Sequence, residues 1–240
     1  KNGRILGEAT VTRCSSSHFY LLSAASAELR DLDHLSQQVH VGEQVEIRNS
    51  TEERGVIVLA GPRARDVLGS LTDASLESAD FPWRSAQEIT IAGVATLALR
   101  INYVGELGWE LHPAMADLPS LYAAIWAAGE AHGIANFGLY ALNSLRMEKA
   151  YRGWGAELTN EVTMLEADMA RFFGSAKEDF VGKAATETGE AGPLRLVYFE
   201  VDAENADVRG GEPIFLNDVC IGVTTSGGYG YAVEKSLGFG

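Results

Sequence analysis

The chain has 240 residues, 46% of them apolar, and a formal net charge of −14 at pH 7. That length supports one large or two small domains with real cores, and no segment approaches a transmembrane span. The acidic balance argues against nucleic acid and anionic membranes as partners, since both require basic patches, but leaves an anionic small ligand open.

A turn at Asn2 and Gly3 leads into a predicted strand over 5–12, which carries Glu8, and a second strand follows over 18–24. Residues 26–40 have a helical rhythm through Leu29, Leu32 and Leu35. Strands are predicted over 44–48 and 55–60, then a short helix opened by Gly61 and Pro62 and carrying Ala64, Val67, Leu68 and Leu71. Residues 88–92 and 94–102 pair as a hairpin around Gly93. The run from Ile101 to His112, Ile-Asn-Tyr-Val-Gly-Glu-Leu-Gly-Trp-Glu-Leu-His, holds two glycines expected to let the chain turn sharply. A strand then leaves the turn with Trp109 and Leu111 on one face and Glu110 and His112 on the other.

Leu118, Leu121, Tyr122, Ile125 and Trp126 mark an amphipathic helix ended by Gly133, and a further helix is predicted over 139–151. A short apolar segment ends at Phe173. Residues 177–192 read as a charged linker closed by Pro193, followed by strands over 194–202, 214–217 and 219–225 with a turn at Asn217 and Asp218. The pattern supports an α+β part followed by a β-only part. Ser226-Gly227-Gly228-Tyr229-Gly230 has no Lys-Ser/Thr and no following helix to make a phosphate loop, and reads as a hairpin turn. Cys14 and Cys220 lie far apart and read as reduced core thiols, so a cytoplasmic location is expected. The five histidines, His18, His34, His40, His112 and His132, show no ligand spacing, and no metal is predicted. No dinucleotide fingerprint is present. Both ends, Lys1 running into a turn and Gly240 inside an apparent strand, read as cut, so a fragment of a larger protein is expected.

Tyr-Val-Gly-Glu-Leu-Gly-Trp-Glu, over 103–110, closely resembles the folate-binding aminomethyltransferase family, which includes the glycine cleavage T-protein and the C-terminal half of dimethylglycine and sarcosine dehydrogenases. Its Glu-Leu-Gly-Trp-Glu-Leu form is more similar to the dehydrogenase branch. Three further segments, beginning at Val56, Phe137 and Lys177, carry the resemblance in the right order along most of the chain. The resemblance implies a three-lobed folate-binding fold with a C-terminal β-barrel, truncated at both ends. It would comprise a partial first lobe over 1–50, an α+β folate-binding lobe and following helices over 51–185, and a partial barrel over 186–240.

Site residues follow from the same resemblance. Glu8, read alone, is a solvent-facing strand residue, but the family places a catalytic carboxylate there, usually Asp. A partly desolvated carboxylate has a raised pKa and can exchange a proton with a folate nitrogen or stabilise an iminium cation. Tyr103 and Glu110, a core aromatic and an exposed strand residue when read alone, match the family's pteridine-site residues. A carboxylate can accept two parallel N–H donors from the ring edge. Ser23 stands where the T-protein carries an Asn that contacts folate. Tyr140 and Leu142 occupy positions where relatives carry an Arg for the folate tail, and Tyr140 is retained as a cofactor-contacting candidate. Arg146 and Lys149 on the same helix read as solvated or paired with Glu148 and its neighbours.

The implied activity is transfer of a one-carbon unit from an amine-derived iminium to tetrahydrofolate, with FAD only in an N-terminal flavin oxidoreductase domain outside this sequence. The alternatives are a non-catalytic folate-binding regulatory module and a folate-dependent demethylase of another methyl donor.

Overall fold

The computed structural model describes residues 3–189, 192–204 and 206–240. Asn2 of the predicted first turn, and Glu190 and Ala191 of the predicted linker, lie outside them. The described chain divides into two compact units. One contains residues 1–10, 22–31 and 139–240, and the other 11–21 and 32–138. The boundary runs through the first hairpin, in which β1 (Ala9–Arg13) pairs with β2 (Phe19–Ser23), and through α1 (Glu28–Gln37).

The unit holding 32–138 is built on a four-stranded antiparallel sheet. Its strands are β3 (Ile57–Ala60), β4 (Ala86–Ile91), β5 (Val94–Leu99) and β6 (Gly108–Pro113), in the order β3-β6-β5-β4. Period-two alternation gives the sheet two unlike faces. Leu59, Ile89, Ala98, Trp109 and Leu111 form one, and they pack with Ala64, Val67 and Leu68 of α2 (Ala64–Gly69) and Leu121 and Ile125 of α3 (Leu118–Gly129). Phe81 meets Trp109 edge to face, with ring centroids 6.2 Å apart. The cross-strand pairs Val58 with Glu110, Leu97 with His112 and Leu99 with Glu110 lie on the opposite face. The β4–β5 hairpin turns at Ala92 and Gly93, both with positive φ, as the sequence predicts.

In the other unit α4 (Leu139–Glu148) packs on the sheet β10-β11-β7, formed by β7 (Tyr198–Val201), β10 (Ser226–Gly230) and β11 (Lys235–Phe239). Met147, Leu237 and Phe239 make its core. A separate ribbon joins β8 (Pro213–Leu216) to β9 (Val219–Val223) through Asn217 and Asp218, both at positive φ.

Five sequence expectations are corrected. Residues 44–48 form no strand: Val45 and Ile47 alternate, but among the described residues no backbone ladder meets them. Residues 226–230 form strand β10 rather than a turn, and a side chain at Gly227 would collide with the backbone of Val208. The predicted linker contains α5 (Lys183–Thr188), whose Lys183 ammonium donates to the carbonyls of Ser175, Lys177 and Glu178. Cys14 and Cys220 are free but exposed, because one sits at the hairpin tip and the other on the β8–β9 ribbon. Arg146 is neither solvated nor paired with Glu148. It is buried and bonded to Glu157 at 3.0 Å, and also donates to Asn143 Oδ1 and the carbonyl of Tyr151. Glu157 in turn accepts from the hydroxyls of Thr225 and Ser226 and from the amide of Gly153. Every charge in this buried pair is met by further hydrogen bonds, the condition for tolerating it away from water.

Candidate functional site

Strand β6 positions the candidate ring-binding carboxylate. Anchored by Trp109 and Leu111, both fully buried, it holds Glu110 and His112 on the opposite face. Gly108 keeps the start of the strand close to β3: a Cβ there would lie 2.5 Å from the Leu59 carbonyl oxygen. This close approach, not a turn, is the reason for glycine at 108, while Gly105 at φ +71° is the turn residue the sequence predicts.

The loop before β6 is fixed by Asn102. Its Oδ1 accepts from the amides of Val104 and Gly105 at 3.0 and 2.9 Å, and its Nδ2 donates to the Glu106 carbonyl at 2.8 Å. Tyr103 rides on this clamped loop, half-buried. The clamp is invisible to periodicity; its only sequence signal is an Asn two and three residues ahead of the amides it caps.

Glu110 is 21% exposed at the side chain and makes no hydrogen bond among the described residues. Its Oε2 lies 3.6 Å from Nε2 of His112, a fully buried imidazole whose Nε2 has no hydrogen-bond partner. The other ring nitrogen, Nδ1, is 3.3 Å from the Tyr20 hydroxyl, and the two rings meet edge to face. Arg54 lies over the Tyr20 ring and donates to the His112 carbonyl at 3.0 Å. Burial pushes the Tyr20 phenol above its ordinary pKa, outweighing the nearby Arg54 guanidinium, so the hydroxyl stays protonated near neutral pH. A partly sheltered carboxylate with unused acceptor capacity suits a ligand that offers paired N–H donors.

The remaining candidates lie in the other unit. Glu8 immediately precedes β1 and lies in no regular element, not within the predicted strand. Water reaches the residue, yet protein gathered around the carboxyl partly desolvates it and raises its pKa above the ordinary glutamate value. Ser23 ends β2, half-buried. Tyr140 stands in the first turn of α4, 95% exposed. Sequence reasoning placed His112 on the Glu110 face but gave it no role, because its burial and its bond to Tyr20 depend on a residue 92 positions away. Among the described residues no group of three or more His, Cys, Asp or Glu could hold a metal ion.

The family model of the GCVT N-terminal domain matches residues 1–177, and that of the glycine cleavage T-protein C-terminal barrel domain matches residues 195–240. The chain belongs to the glycine cleavage T-protein family. It is similar to human mitochondrial dimethylglycine dehydrogenase, with 41% identity over 99% of this chain and 28% of that protein. It is 35% identical to the aminomethyltransferase of Listeria welshimeri, covering 95% of this chain and 61% of the relative. The solved glycine cleavage system aminomethyltransferase T from Bartonella henselae superposes with a TM-score of 0.83 at 25% identity, over 99% of this chain and 64% of that one. The family resemblance read from the motifs is thereby confirmed, together with the aminomethyltransferase-like fold and its C-terminal barrel domain. This is a family of folate-dependent one-carbon transfer proteins. The chain spans less than two thirds of the length of each of these relatives.

Proposed function

We propose that this T-protein-family chain binds tetrahydrofolate and transfers to it a one-carbon unit from an amine-derived iminium, as the folate domain of a dimethylglycine or sarcosine dehydrogenase-like protein. The observation that supports this most is Glu110, sheltered and unsatisfied beside the buried His112, on a strand inside the matched GCVT N-terminal domain. Glu110 would accept two parallel N–H bonds from the aminopterin edge, and Tyr103 would flank the ring from its clamped loop. Ser23 would offer a hydroxyl to the ligand, and Tyr140 an aromatic surface on α4.

Tetrahydrofolate supplies the nucleophilic nitrogens that take up the carbon as 5,10-methylenetetrahydrofolate while the amine departs. Glu8, its pKa raised by partial desolvation, would stabilise the iminium charge, take a proton released as the new C–N bond forms and return it to the leaving amine. Much of the acceleration would come from proximity.

The glycine-rich run 226–230 is an antiparallel strand and not the opening of a phosphate-binding strand–turn–helix of the kind that holds FAD. We assign it to a flavin oxidoreductase domain of a longer protein, as dehydrogenase relatives extend far beyond the matched 28%. No helix among the described residues is long and apolar enough to cross a membrane. The expected cytoplasmic setting is widened by relatives whose names place them in mitochondria.

A non-catalytic folate-binding module is the second reading, favoured by the exposure of Glu8 and Tyr140. Glu8→Gln separates the two. The enzyme reading predicts tetrahydrofolate binding within about twofold of the parent and one-carbon transfer reduced on the order of a hundredfold or more. Unchanged transfer contradicts a catalytic Glu8 and leaves the module reading.

A further inference from the structure

We propose that His112 is the positioning residue of the ring-binding site: as the Nε2–H tautomer, selected by the Glu110 carboxylate and matched by the Tyr20 hydroxyl, it aims a donor at Glu110 and fixes the carboxylate's orientation toward its ligand. The inference rests on the reading of Glu110 as the ring-binding carboxylate.

The neighbours of the imidazole decide its tautomer. Nδ1 faces the Tyr20 hydroxyl at 3.3 Å, and Nε2 faces a Glu110 oxygen at 3.6 Å. An ionised carboxylate can only accept, so a proton on Nε2 gives attraction, whereas a lone pair there would face another lone pair. With the proton on Nε2, Nδ1 is left as an acceptor, and the Tyr20 hydroxyl is able to donate to it. The chain of donors therefore runs from Tyr20 to His112 to Glu110.

This arrangement explains a feature of the site that is otherwise costly. His112 is fully buried, and its Nε2 has no hydrogen-bond partner at the distance seen. A buried polar group is normally satisfied. A movement of less than an ångström by the Glu110 side chain brings Oε2 within hydrogen-bond range of Nε2. One Glu110 oxygen would then be steadied from inside the protein while the other lone pairs stay turned toward the ligand's N–H donors. Arg54 holds the other members in place, lying over the Tyr20 ring at 5.8 Å and donating to the His112 carbonyl. His112 itself touches neither ligand nor reacting atoms, so its effect falls on affinity through Glu110.

The test combines histidine nitrogen NMR with calorimetric titration of the full 240-residue chain by tetrahydrofolate. The His112 resonances are identified by their loss in His112→Gln. The expected spectrum shows Nε2 protonated and Nδ1 unprotonated, and Glu110→Ala, which removes only the acceptor facing Nε2, makes the two tautomers mix. His112→Phe, which keeps the ring but no donor, is expected to weaken binding on the order of tenfold, as loss of a bond to a charged group would. His112→Gln, whose amide restores a donor near Nε2, is expected to recover most of it. An Nδ1-protonated His112, or parental affinity in His112→Phe, overturns the proposal. If His112→Phe does not fold, the tautomer and its response to Glu110→Ala decide the question. A parent chain that shows the Nε2–H tautomer but binds no tetrahydrofolate refutes the ligand reading alone; a chain that binds tetrahydrofolate with the other tautomer refutes His112 alone.

Discussion

A carboxylate that the surrounding protein strips of part of its hydration is a burden on the folded state. Burial raises the Glu8 pKa above its unfolded value, so the stability linked to its protonation is complete at low pH and is lost as pH rises through the raised value. Glu8→Gln removes a charge the fold disfavours. The variant should melt at a higher temperature than the parent at pH 7, with the difference closing below the ordinary glutamate pKa of 4.5. Thermal melts at the two pH values check this, and a variant less stable at pH 7 contradicts the desolvation. The residues also differ in how far the chain reveals them. Glu110 is readable because strand alternation opposes it to Trp109 and Leu111. The Asn102 clamp and the Tyr20–His112 bond are not, since they depend on loop geometry and on a contact between distant positions.

At the scale of elements, β6 links packing to the site. Trp109 fills the space between the sheet and Phe81, and the alternation it anchors is what turns Glu110 to the other face. Trp109→Ala should cost about 3–5 kcal/mol of stability through lost burial and the cavity left behind. Urea denaturation measures it, and a loss below about 1 kcal/mol would show that β6 is not the keystone of this core. The elements that sequence patterning finds are those whose signals are local: the hairpin at Gly93, the turn at Asn217 and Asp218, and α3, which ends at Gly129 and runs on as a 3-10 turn, Glu130–His132, capped by Gly133. Its errors turn on whether a partner strand is there to pair with. Residues 44–48 carry a strand-like alternation with no ladder to join among the described residues, and the glycine-rich 226–230 becomes a strand because β11 pairs with it.

At the scale of the whole molecule, a net charge of −14 makes acid titration a strong lever on stability. One carboxylate gives it a defined low-pH component. Hydrogen bonds from Thr224 Oγ1 and from the amides of Gly210 and Arg209 lower the Glu212 pKa from 4.5 to about 2. Because the folded value is depressed, the stabilisation is full above pH 4.5 and disappears as pH falls toward 2. In Glu212→Gln the pH dependence of melting between those limits should flatten, and an unaltered acid profile would contradict the hydrogen-bonded carboxylate. The family is legible over most of the chain because its motifs are spread from Val56 to Lys177 in order, along the match to 1–177, and the match to 195–240 adds ground that none of those motifs marks.

The most direct test of the account is calorimetric titration of this chain with tetrahydrofolate, repeated with Glu110→Ala. Saturable binding by the parent that Glu110→Ala abolishes is the predicted result. Binding of equal strength in both proteins would contradict Glu110 as the carboxylate that holds the ring.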